Sequence, residues 1–118
     1  SLFLDLMLSC HLDAVSLDQI MDYEIVAKRI PSDKVLIGNL DPIDLIGKGT
    51  VEEIEKYTKE LCTKMLPYNN YLCAFGCNCL NDTPDENLRA AINTTRTFKR
   101  KWFWMCENKN RGNYDKKR

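Results

Sequence analysis

Three short apolar runs, each closed by polar turn residues and each followed by apolar residues at helical spacing, constrain this chain more than any other feature. Asp13 to Asp18 alternates, with Val15 and Leu17 apolar around a polar Ser16, as a short strand does. Val35, Leu36 and Ile37 form a continuous apolar run between Lys34 and Gly38, the pattern of a parallel strand buried on both faces. Tyr71 to Phe75 is the third such run. Three consecutive strand-helix units imply parallel strands joined by right-handed crossovers. The expected class is α/β, either an open doubly wound sheet or part of a (β/α)8 barrel, since three units alone cannot close one.

The intervening segments carry helix signals. Ile25, Val26 and Ile30 return at helical spacing between Met21 and Ile30, and Pro31, Ser32 and Asp33 end that helix. Thr50 with Glu53 forms a capping box ahead of a stripe of Ile54, Tyr57, Leu61 and Met65, and Pro67 stops the helix. Thr83 is expected to cap a last helix, with Pro84 at its first position, Glu86 completing a second capping box, and Leu88, Ala91, Ile92 and Thr95 facing inward. Ahead of the first strand, Leu2, Leu6 and Met7 share one face of a helix end. The loop from Asn39 to Gly49 is long for its place and is expected to hold a short helix around Ile43 to Ile46. Loops of that length in compact folds are often functional.

A chain of 118 residues suffices for one domain. Its formal charge of zero conceals an asymmetry: residues 1–98 carry nine basic and fifteen acidic side chains, residues 99–118 eight and two. Such a tail reads as a solvated, poorly ordered end, with no nucleic-acid partner assigned to it. Six cysteines would suit a secreted disulfide framework, but Cys10, Cys62 and Cys73 fall in apolar runs where a reduced thiol packs as a small hydrophobe. The Leu2 to Leu8 run contains Asp5 and lacks the flanks of a signal peptide, and no run approaches the roughly 20 apolar residues of a membrane span. A reducing cytoplasm is expected, with no membrane partner. The chain opens at Ser1 inside a helical pattern, as a fragment or a processed chain would.

In alternating strand-helix proteins ligands gather where the strands end, which directs attention to the residues closing each apolar run. Asp18 ends the first and serves either to hydrogen-bond a substrate or to cap the next helix. Asn39 and Asp41 follow Gly38, where such side chains either hold their own loop's amides or contact a substrate. Asn87 opens the last helix without the capping account that Glu86 has, and is a candidate substrate contact. His11, the only histidine, reads as a surface or capping residue. The spacing of Cys73, Cys77 and Cys79 matches none of the common iron-sulfur patterns, and no side chain stands out as the catalytic group.

Taken together, Asp13 to Gln19, Ile37 to Pro42, Gly49 to Glu53, Gly76 with Cys77, and Thr83 to Asn87 resemble the C-terminal part of the uroporphyrinogen decarboxylase superfamily, from about Leu2 to Phe98. The resemblance implies a (β/α)8 barrel, of which residues 1–98 would be the last three units. True decarboxylases of porphyrin biosynthesis resemble one another in a Gly-His-Gly turn after the last strand, whereas corrinoid-linked zinc methyltransferases have a Gly-Cys turn whose Cys is a metal ligand. Gly76 followed by Cys77 leans to the second branch. It implies zinc held in part by Cys77, a methylated corrinoid donor on a corrinoid protein or as free methylcobalamin, and a small thiol acceptor. The branch's other ligands form a His-x-Cys pair on an earlier strand; Cys10 and His11 are adjacent and do not match it, so this piece alone is expected to be inactive. The alternatives are a true uroporphyrinogen decarboxylase and a noncatalytic barrel remnant.

Overall fold

The computed structural model describes residues 2–98, and the basic tail at 99–118 lies outside the described residues. In chain order the elements are α1 (Leu2–Ser9), β1 (Ala14–Ser16), α2 (Tyr23–Ala27), β2 (Val35–Ile37), α3 (Val51–Met65), β3 (Tyr71–Leu72) and a final helix, α4, over residues 85–98. The strands form one parallel sheet in the order β1-β2-β3, with Val15 beside Leu36 and Leu36 beside Tyr71. Pairing outlasts the regular strands. Leu40 N–H donates to Ala74 O at 2.9 Å and Gly76 N–H to Leu40 O at 2.8 Å, so the third run stays beside the second as far as Gly76.

Val15 and Leu36 carry the sheet into the core. Val26, Ala27 and Ile30 cover it from α2 and its exit, Ile54, Leu61 and Met65 from α3, and Ala90 and Ala91 from α4. Ile46, from the long loop, is fully buried among them. Thr50 caps α3 as its spacing predicts: its hydroxyl accepts from Glu53 N–H while the Glu53 carboxylate accepts from Thr50 N–H at 2.9 Å.

Several local expectations are corrected. The long loop holds turns, not a helix, because Ile46 N–H reaches back five residues to Asp41 O and no ladder of four-residue bonds develops. Helix α2 is shorter than Met21 to Ile30, since Asp22 caps it and accepts from Glu24 N–H at 3.0 Å. Its Ile25 is exposed, as are Leu6 of α1, Tyr57 of α3 and Ile92 of α4, and the inward positions are instead Leu4, Thr58 and Ala90. Val35 is also exposed, so β2 is not buried on both faces. The second capping box does not form: Leu88 N–H bonds to Pro84 O, which makes Pro84 the cap, and the buried Thr83 hydroxyl has no partner.

Thr58 is fully buried on α3 and its hydroxyl has no hydrogen-bond partner. A buried hydroxyl without a partner carries its desolvation cost unrepaid. Thr58→Val keeps the shape and removes that cost, and is expected to raise stability by about 1 kcal/mol; urea unfolding of the two proteins, read at the midpoint with unchanged slope, checks it, and a lower midpoint would contradict it.

Candidate functional site at the strand ends

Asp22 caps α2 and so sets Tyr23 as its first residue, directly beneath the ends of β1 and β2. The Tyr23 hydroxyl accepts from Leu17 N–H at 2.9 Å, and its own proton faces Leu17 O at 2.7 Å and Ile37 O at 2.5 Å. Burial raises its pKa above the ordinary phenol value, and the nearby Asp18 carboxylate adds to that, against the lowering effect of the Leu17 bond. The phenol therefore stays a neutral donor.

Gly38 lies over this ring with φ +135°, a backbone conformation that side chains disfavour. A Cβ there would run into the Tyr23 hydroxyl and stand 2.8 Å from Tyr23 Cζ. Tyr71 meets Tyr23 edge to face, with ring centres 6.3 Å apart, and donates its hydroxyl proton to Gly38 O. Burial pushes the Tyr71 phenol up as well. Neither tyrosine is marked by any motif in the chain. The available signal is Tyr23 directly after a capping aspartate, opposite a strand closed by glycine.

Next to this anchor the candidate residues divide. Asn39 is buried, and its amide donates to Met21 O at 2.7 Å and Asp18 O at 3.3 Å, tying the end of β2 to the turn after β1. Asp18 is exposed at that turn and accepts from Gln19 N–H at 2.6 Å, within the turn and not at the cap of α2, which Asp22 holds. Asp41 accepts through Oδ1 from Ile43 N–H at 2.9 Å and Asp44 N–H at 3.0 Å. Asn87 is buried farther along and donates to Ile46 O at 2.8 Å and Gly49 O at 3.0 Å, so it holds the long loop against α4. The structure thus brings Asp18 and Asn39 together at the strand ends, while Asn87 serves the loop.

The third run joins them through Gly76. A Cβ at Gly76 would lie 2.7 Å from Gln19 N and 2.9 Å from Gln19 Oε1, so the absence of a side chain lets the turn after β1 close on the end of the third run. Gln19 Oε1 is buried there without a partner, a polar group at the strand ends that sequence reasoning passed over. Cys77 follows, exposed, with its thiol 3.8 Å from Asn78 O. Cys79 lies close enough that burial first, and the Cys77 sulfur second, raise its thiol pKa. Among the described residues no group of three or more His, Cys, Asp and Glu is placed to hold a metal ion. Cys77 and Cys79 offer two thiols where a catalytic zinc takes three protein ligands, so these residues do not make a zinc site by themselves.

A parallel sheet whose strand ends carry a glycine-framed polar cluster is the arrangement of an α/β protein that binds ligands at its strand termini. Residues 1–98 match the uroporphyrinogen decarboxylase (URO-D) family, and the chain belongs to it. Among curated proteins it is similar to the methylcobamide:CoM methyltransferase MtbA of Methanosarcina acetivorans, 27% identical over 96 residues, covering 81% of this chain and 27% of the relative. MtbA of Methanosarcina mazei is 26% identical over 87 residues, 74% of this chain and 24% of the relative. A uroporphyrinogen decarboxylase of Wigglesworthia glossinidia brevipalpis is 27% identical over 90 residues, 76% and 24% respectively. The chain therefore spans about a quarter of the length of these relatives. A solved methyltransferase from Methanosarcina mazei shares the fold, with a TM-score of 0.70 at 23% identity over 82% of this chain and 28% of that one.

The contact between Tyr23 and Gly38 yields a paired prediction. Tyr23→Phe strands buried backbone groups at two strand ends and is expected to cost about 1–3 kcal/mol. Gly38→Ala adds a clash to a disfavoured φ and should cost about 2 kcal/mol or more. In the double variant the two losses should fall short of additive, because both disturb one contact; strictly additive urea midpoints would sink the coupling.

Proposed function

We propose that this chain is the C-terminal three strand-helix units of a (β/α)8 barrel enzyme that moves a methyl group from a methylated corrinoid to a small thiol. The observation that supports this reading best is the Gly76-Cys77 turn after β3: a glycine packed on Gln19 and, beside it, an exposed thiol at the strand ends. Two of the similar curated proteins are methylcobamide:CoM methyltransferases, which agrees with it. In this proposal Cys77 supplies one ligand of a zinc site completed by residues outside this chain, and zinc so held would lower the pKa of a bound thiol and keep a thiolate ready at neutral pH.

The chain's own residues do the positioning. Asn39 fixes the loop after β2 against the turn after β1, which leaves the Asp18 carboxylate exposed at the strand ends. Asp41 commits Oδ1 to two loop amides and holds the start of the long loop, and Asn87 holds its far end. Asp18, Asn39, Asp41 and Asn87 are proposed to shape and contact the substrate region on that scaffold. The partners are a corrinoid protein or free methylcobalamin and a small thiol, in the cytoplasm. Among the described residues no helix is long and apolar enough to cross a membrane.

The second reading, a uroporphyrinogen decarboxylase, is favoured by the Wigglesworthia relative, whose identity to this chain equals that of the first methyltransferase. Zinc content and activity separate the two. Expressed from the longest reading frame that contains this segment, the protein is expected to hold about one zinc per chain, and Cys77→Ala to weaken zinc binding by about 100-fold or more and abolish methyl transfer from methylcobalamin to a thiol. Carbon dioxide release from uroporphyrinogen without zinc would establish the decarboxylase, and a folded protein with neither activity nor metal would mark a noncatalytic remnant.

A further inference from the structure

Away from the strand ends, where the C-terminal turn of α3 meets β3 and α4, the fold encloses a cavity of about 430 Å3. Its lining includes Cys62, Met65, Tyr71, Cys73, Thr95 and Phe98. Two of the free thiols therefore open on one space, and they touch: the Cys62 S–H donates to the Cys73 sulfur. We propose that Cys62 and Cys73 form a dithiol that a hydroperoxide entering this cavity converts to an intramolecular disulfide, with Cys73 as the attacking sulfur.

The roles follow from the surroundings of each sulfur. Cys73 receives the Cys62 proton, and the Thr95 hydroxyl stands 3.8 Å from its Sγ. Donors aimed at a sulfur favour its thiolate, which is the nucleophile, and the Cys73 pKa is accordingly held below the ordinary thiol range despite burial. Cys62 sits on α3 with the opposite balance. The bond it gives to Cys73, and then burial, push its thiol up, so it keeps its proton until Cys73 has reacted. The polar groups face an otherwise largely apolar lining, and the volume exceeds the roughly 30 Å3 of one water many times over. A hydroperoxide has room to reach the sulfur.

The step balances as follows. The Cys73 thiolate attacks one peroxide oxygen; the S–O bond forms, the O–O bond breaks, and the leaving oxygen takes up the proton Cys73 had released, giving water or an alcohol. The Cys62 sulfur then attacks the Cys73 sulfenic acid; the S–S bond forms, the S–OH bond breaks, and the hydroxide leaves as water with the Cys62 proton. Two thiols lose two electrons and the peroxide gains them. Because the two cysteines lie 11 positions apart, either side of the turn from α3 to β3, the link closes only a short loop.

The test uses the full chain with hydrogen peroxide as the oxidant, followed by alkylation and peptide mass mapping. The expected result is a loss of about 2 Da from the intact mass and one linked peptide pair, Cys62 with Cys73. Cys62→Ser should leave a sulfenic acid on Cys73 that dimedone traps, and Cys73→Ser should slow peroxide consumption by about tenfold or more. The wild-type map decides even where a variant folds poorly. Oxidation that begins at the exposed Cys10 or Cys77, a link between other cysteines, or unchanged kinetics in a folded Cys73→Ser protein would overturn the proposal.

Discussion

One hydroxyl group holds the working end of this sheet together. The Tyr23 phenol answers the Leu17 N–H, the Leu17 carbonyl and the Ile37 carbonyl, where β1 and β2 stop and no further strand pairing can satisfy the backbone. Leaving one such group buried and unmet costs about 1–3 kcal/mol, against a whole-domain stability of about 5–15 kcal/mol. The anchor in turn dictates its neighbours. Residue 38 has to be glycine because the ring occupies the place of its Cβ, and Asn39 follows at once with an amide that locks the adjacent turn. Gly76 repeats the device one strand over, where the missing side chain admits Gln19. Exposure of Cys77 at the strand ends rests on these two close approaches.

The parallel order of the sheet was legible because apolar runs separated by helix-length crossovers leave few topologies. Helix faces were less so. In α3 the pattern of Ile54, Leu61 and Met65 is met equally well by Tyr57 or Thr58 as the fourth member, and hydrophobicity alone favours the tyrosine. The structure buries Thr58 and turns Tyr57 outward. A large ring would not fit where the helix lies closest to its neighbours, and that closeness is a tertiary fact absent from the periodicity. The two capping boxes show the same limit. Thr50 and Glu53 close theirs, whereas at Thr83 the first helical carbonyl belongs to Pro84, one residue later, which moves the hydroxyl out of reach.

The polar candidates were found by position, and the structure shows why position could not assign their work. Asn, Asp and Gln satisfy stranded backbone groups with the same atoms that would bind a ligand. The Asn39 and Asn87 amides and one oxygen of Asp41 are given over to the backbone. Asp18 keeps an exposed carboxylate, and Gln19 keeps a buried carbonyl without a partner. Tyr23 and Tyr71 escaped notice because an aromatic at the start of a helix or a strand is ordinarily read as packing. Their hydroxyls became visible only once the strand ends were in place.

Cys73 and Cys77 lie on the same extended run, four positions apart, yet the fold gives them opposite environments. Cys73 looks into a cavity against a second thiol and a hydroxyl, while Cys77 lies in the open past the last paired backbone group, Gly76. A metal ligand has to be shared with residues from elsewhere and therefore has to face outward; a dithiol that closes on itself needs only its neighbour. Overall similarity to methyltransferases and to a decarboxylase is even at 26–27% identity, so it cannot choose between the chemistries of the family. The choice falls to the residue after Gly76. A histidine there offers a neutral ring or a proton, whereas a cysteine offers a soft anionic donor that suits a thiophilic metal. That difference gives a single exposed side chain more weight than the rest of the alignment.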